Sequence, residues 1–160
     1  MVFYQQLHPM TQDLKQRVKT LLLNYEELQG IVLQKKVVTL LDANIPYYNW
    51  SGFYFMNNEK QQLEIGPYAG ALTDHITIPF GKGICGQVAE SGTSFEVPDV
   101  DQQDNYLACS IDTKSEIVVP MFLGEQLIGQ IDIDSHSVDP FTAEDHELLS
   151  WIAGYVAQRL

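Results

Sequence analysis

Apolar positions change their period along the chain. Leu14, Val18, Leu21, Leu22, Tyr25 and Leu28 recur three and four residues apart, the spacing of one helix face. Gly30 interrupts that pattern, and Val37, Val38, Leu40 and Leu41 predict a second helix that must end by Pro46. From Trp50 the period drops to two. "WSGFYFM" and "QQLEIG", joined through Asn57-Asn58, read as a hairpin, and "HITIPF" as a further strand. Next come the glycine-rich "GKGICG", a short helix in "CGQVAESG" closed by Gly92, and a short strand in "SFEV". Residues 99 to 114 form a polar loop, and 115 to 135, "SEIVVPMFLGEQLIGQIDIDS", a second hairpin. The chain closes in a helix with Thr142 as N-cap, Asp145 three residues on, and Leu148, Leu149, Ile152 and Val156 along one face. Helices at both ends with strands between them predict an α+β fold, one antiparallel sheet covered by helices.

The second hairpin breaks the apolar pattern with three acids. Asp132 and Asp134 are two apart, so a strand puts them on one face and leaves Leu127, Gly129, Ile131 and Ile133 on the other, facing helices. Glu116 joins them only in the right register. A two-residue turn at Gly124-Glu125 sets Glu116 against Ile133, on the wrong face. A three-residue loop, Leu123 to Glu125, sets it opposite Asp132. A shared acidic site therefore requires an odd-length loop or a bulge. A solvated polar sheet face accounts for the two Asp equally well. Three clustered carboxylates repel one another, so at least one of them must hold a proton near neutral pH.

The 160 residues suit a single domain, 1–160, with one sizeable core. Nine basic against 21 acidic side chains give a formal charge of -12. Such a surface repels nucleic acid and anionic membranes. No apolar run approaches a membrane span, and no leader pattern opens the chain, so a cytoplasmic location is expected. The two cysteines, Cys85 and Cys109, are unlike a permanent disulfide in a reducing compartment and too few for a structural zinc site.

"NWSGFYF", "IPFGKGICG", "SEIVVPMF", "IGQIDIDS" and "PFTAEDHELL" follow one another in the order of a GAF domain. From about Trp50 onward the chain resembles the free methionine-(R)-sulfoxide reductases of that superfamily, most specifically through "GKGICG", "SEIVVP" and "DIDS". The resemblance implies a six-stranded antiparallel sheet with the N- and C-terminal helices on one face and a pocket on the other, beneath loops. It implies reduction of free methionine-(R)-sulfoxide. It carries the family's substrate-contacting acids onto Glu116, Asp132 and Asp134, and its substrate-enclosing aromatics onto Trp50 and Tyr54. No metal or organic cofactor is implied.

The residue chemistry is compatible with that reaction. A thiolate can attack the sulfur of a protonated sulfoxide, release the thioether and become a sulfenic acid. A second cysteine condenses with it to a disulfide, which a thioredoxin-type dithiol reduces by exchange. Cys109 is the expected nucleophile because it precedes the acid-bearing hairpin, with Cys85 as resolving thiol; the reverse assignment stays open. A protonated Glu116 is the expected proton donor, and ionised Asp132 and Asp134 suit the substrate ammonium. Two positions depart from the family. His75 stands ten residues before Cys85, where many relatives carry a third cysteine, and Tyr106-Leu107-Ala108-Cys109-Ser110 replaces the relatives' "H-I-A-C-D". The alternatives are a stand-alone GAF module that binds a small molecule or senses redox state without catalysis, and an interaction module that keeps only the fold. Oligomeric state is open, a homodimer included.

Overall fold

A computed structural model describes residues 4–107 and 110–160, with side chains from residue 14 onward. Helix α1 (Tyr4–Leu23) leads to α2 (Gly30–Asn44), which stops before Pro46. Strand β1 (Trp50–Asn57) turns into β2 (Gln62–Ala69), and β3 (Thr77–Pro79) precedes α3 (Gly83–Ser91). Strand β4 (Phe95–Val97) and a 3-10 turn at Val100–Gln102 follow. The hairpin of β5 (Ser115–Leu123) and β6 (Gln126–Ser135) and helix α4 (Ala143–Ala157) complete the order. Tyr25 and Leu28, expected on the first helix, lie beyond its end in the turn leading to α2.

The strands form one antiparallel sheet in the order β3-β2-β1-β6-β5-β4. Its two faces bury different material. Phe53, Ile117, Val119, Met121, Ile131 and Ile133 pack against Val18 and Leu22 of α1, Leu33, Val37 and Leu41 of α2, and Leu148, Leu149 and Ile152 of α4. On the other face Trp50, Tyr54, Leu63, Val97 and Val118 pack against Ile84, Cys85 and Val88 of α3. The terminal helices therefore share one face, as the resemblance implies, and α3 lies on the other, where Phe80, Val100, Tyr106 and Leu107 of the connecting segments also pack.

The hairpin register decides which side chains reach that second face. Leu123 pairs with Gln126 across a two-residue turn, so the odd-length loop does not form. A bulge does the work instead. Phe122 pairs with Leu127 but Met121 pairs with Gly129, leaving Ile128 as the extra residue. Past the bulge Glu116 stands opposite Asp134, not Asp132, and Val118 stands opposite Asp132. The bulge also corrects the expected helix-facing set: Ile128 packs against the helical core, while Leu127 pairs with Phe122, which lies beside Gly92 at the end of α3.

The start of α4 is pinned by a buried acid. Asp145 Oδ2 accepts the backbone N–H of Thr142 at 2.7 Å, the half of a capping box that closes the first turn. Asp145 Oδ1 accepts the Tyr48 hydroxyl at 2.6 Å and the Tyr47 hydroxyl at 2.9 Å, and Lys15 Nζ lies 3.2 Å from Oδ2. One carboxylate thus ties α1, the α2–β1 connection and α4 together.

Candidate active site

Two strands and one helix supply the acids and the thiol. Glu116 comes from β5, Asp132 and Asp134 from β6, and Cys85 from the first turn of α3. Cys85 Sγ lies 3.2 Å from Asp132 Oδ2 and 3.7 Å from Glu116 Oε1. Exposure is 4% for Cys85, 2% for Glu116, 0% for Asp132 and 1% for Asp134, so this is a desolvated group rather than a wet sheet face. Burial first, and then the charges of Asp132 and Asp134, push the Glu116 carboxyl well above the usual carboxylate range. The direction of that push is the one expected of clustered acids.

The loop before α3 explains how the thiol gets there. Gly83, the first residue of α3, has φ +63°, and a β-carbon on it would meet the Leu107 side chain at 3.1 Å. At Gly86 a β-carbon would come within 2.7 Å of the Pro79 carbonyl oxygen. Only glycine permits both the left-handed turn and that close approach. Asn105 then ties the later loop onto this turn. Its Oδ1 accepts the Gly83 N–H at 2.8 Å, and its Nδ2 donates to the Gly81 carbonyl at 2.8 Å.

Trp50 and Tyr54 share the face of the acids, 1% and 0% exposed, with ring centroids 6.3 Å apart. Both polar tips hold the segment between β2 and β3. Trp50 Nε1 donates to the Ala71 carbonyl at 3.1 Å, and the Tyr54 hydroxyl to the His75 carbonyl at 2.8 Å. His75 is held here through its backbone and is half-buried. Tyr68 stacks on the other side of Trp50 at 5.2 Å. The structure thus brings together Cys85, Glu116 and Asp132 directly, and places Asp134, Trp50 and Tyr54 on the same face. Cys109 lies outside the described residues.

Two contributors escaped the sequence reading. Gln130 is 1% exposed on the site face and donates through Nε2 to the Cys85 carbonyl at 3.2 Å. Its signal was present: Gln130, Asp132 and Asp134 alternate along one strand. Asn105 had no such signal, because its partners are backbone atoms more than 20 residues away.

Comparison with known proteins places this geometry. Residues 35–160 match the GAF domain family. The chain belongs to the GAF domain family. It is 39% identical over 107 residues to the free methionine-R-sulfoxide reductase of Saccharomyces cerevisiae, an alignment spanning 66% of this chain and 59% of that one, under two thirds of the relative's length. Two solved structures cover more. The reduced form of a Staphylococcus aureus protein titled fRMsr is 34% identical with a TM-score of 0.79, covering 92% of each chain. A Neisseria meningitidis free methionine-R-sulfoxide reductase, solved in complex with its substrate, is 29% identical with a TM-score of 0.80, covering 91% of this chain and 85% of that one. The resemblance drawn from the motifs therefore holds. Among the described residues no helix is long and apolar enough to cross a membrane.

Proposed function

We propose that this GAF domain is an oxidoreductase that reduces free L-methionine-(R)-sulfoxide to methionine with thiols. The observation that carries the reading is a thiol 3.2 and 3.7 Å from two buried carboxylates, on the face shared with Trp50 and Tyr54. Similarity to reductases of that name supplies the substrate and its stereochemistry. A module that only binds a small molecule has no use for a thiol set against acids, and a redox sensor would oxidise that thiol without forming methionine from the sulfoxide.

In the proposed cycle Glu116 gives a proton to the sulfoxide oxygen while the Cys109 thiolate attacks sulfur. The S–O bond breaks, methionine leaves, and Cys109 carries the oxygen as a sulfenic acid. Cys85 then attacks that sulfur, water leaves, and a Cys85–Cys109 disulfide remains. A thioredoxin-type dithiol returns it to two thiols and is itself oxidised. Asp132 and Asp134 hold the substrate ammonium, and the Trp50 and Tyr54 rings enclose the methyl-sulfur end.

One feature supports these roles. Cys85 Sγ lies within hydrogen-bond distance of Glu116 and Asp132, which suits a resolving thiol held beside the acids that handle the proton.

Rapid-quench measurement of methionine formed without reductant tests the assignment. Cys85→Ser is expected to yield about one methionine per chain and then stall, and Cys109→Ser to yield none. The opposite pattern reverses the two roles. Full turnover by both variants with a thioredoxin system ends the redox reading.

A further inference from the structure

The Cys85 cluster has a second chemical capacity. Its sulfur lies 3.2 Å from Asp132 Oδ2 and 3.7 Å from Glu116 Oε1, and the three atoms all lie within 4.8 Å of one another. A tetrahedral zinc ion, with Zn–S of about 2.3 Å and Zn–O of about 2.1 Å, separates its sulfur and oxygen ligands by roughly 3.6 Å. The two observed separations fall on either side of that value. The side chains are 4%, 2% and 0% exposed, so packing already holds the ligand atoms in place. No donor among the described residues reaches Glu116 Oε2. The hydrogen-bond partners of this buried carboxyl are Cys85 and Asp132, the other two groups of the cluster, so among the described residues no group outside the cluster competes for its oxygens.

We propose that reduced Cys85, Glu116 and Asp132 bind a thiophilic divalent cation, zinc above all. Three protein ligands leave a fourth position open. The thiolate selects zinc over calcium and magnesium, which prefer all-oxygen sites. Two cysteines exclude an all-thiolate site but not this mixed one. The proposal deepens the reductase reading and rests on it for its consequence. Zinc occupies the acids assigned to substrate and ties up the resolving thiol, so it inhibits turnover reversibly and competes with methionine sulfoxide.

Cobalt(II) in place of zinc makes the site visible, because a thiolate ligand gives a near-ultraviolet charge-transfer band and carboxylates do not. With the reduced full chain under anaerobic conditions, the band is expected in the wild type and in Cys109→Ser. It should be absent from Cys85→Ser, be displaced by one equivalent of zinc and be indifferent to calcium. Glu116→Gln and Asp132→Asn should each weaken zinc at least about 10-fold, the lower end of what even outer-sphere partners cost. Circular dichroism checks that each variant is folded. A wild-type chain without the band, or a band that depends on Cys109 and not on Cys85, overturns the proposal. The readout does not pass through methionine. An active reductase without the band loses only the metal site, and a band in a chain inactive on the sulfoxide loses only the reductase reading.

Discussion

Each face of the sheet buries a carboxylate, and the two are treated in opposite ways. On the helix face Asp145, 0% exposed, is answered by the Thr142 N–H, two tyrosine hydroxyls and the Lys15 ammonium. Burial and then the Asp145 charge push the Tyr47 and Tyr48 phenols upward, so both stay protonated donors across the physiological range. On the α3 face Glu116 has carboxylates for neighbours and a thiol as its donor. A buried acid met by donors and a cation is a structural clasp. A buried acid crowded by other acids keeps a proton ready to give away and weakens the fold in doing so.

The largest effect expected from breaking this comparison is on the clasp. Asp145→Ala removes the partner of a nearly buried Lys15 and of two phenols, and should cost about 3–5 kcal/mol in urea unfolding. Turnover per folded molecule should stay near wild type, since the site lies across the sheet. An Asp145→Ala chain that keeps its stability but loses turnover would erase the distinction between the faces.

Glu116→Gln tests the other side. It should lower turnover roughly 100-fold or more if Glu116 is the proton donor. Wild-type activity should follow a bell-shaped pH profile, with thiolate formation on the acid limb and loss of the Glu116 proton on the alkaline limb. The variant should lose that alkaline fall. Unchanged turnover and an unchanged profile would leave the proton to Asp132 or Asp134.

The smallest effect is also the sharpest. Glu116 binds its proton more tightly folded than unfolded. Its contribution to stability is therefore complete below the unfolded value of about 4.3 and is lost as pH rises through the higher folded value. Glu116→Gln should thus melt higher than wild type at alkaline pH, by roughly 2–4 °C for each kcal/mol relieved, with the gap closing near pH 4. A variant that melts lower at every pH would show Glu116 to be a structural partner like Asp145.

Much of this was legible in the chain. Period-two and period-three-to-four patterns placed the strands and helices, Thr142 and Asp145 marked the start of α4, and the motifs picked out Cys85, Glu116 and Asp132, which the fold brings together. These are local signals, written in neighbours a few positions apart. The clasp was only half visible: the capping pair is local, but Tyr47, Tyr48 and Lys15 stand about 100 residues or more from Asp145. The sequence also showed that a shared acidic face needs one extra residue in the hairpin. It did not say where. Packing chose Ile128, because a bulge there keeps both the tight Gly124-Glu125 turn and an apolar side chain on the helical core. That choice set Glu116 against Asp134, while α3, docked through Gly83 and Gly86, brought Cys85 to Glu116 and Asp132. Spacing along a strand determines which side chains share a face. Which of them touch is settled by register and by the helix laid across them, and those depend on contacts far apart in the chain.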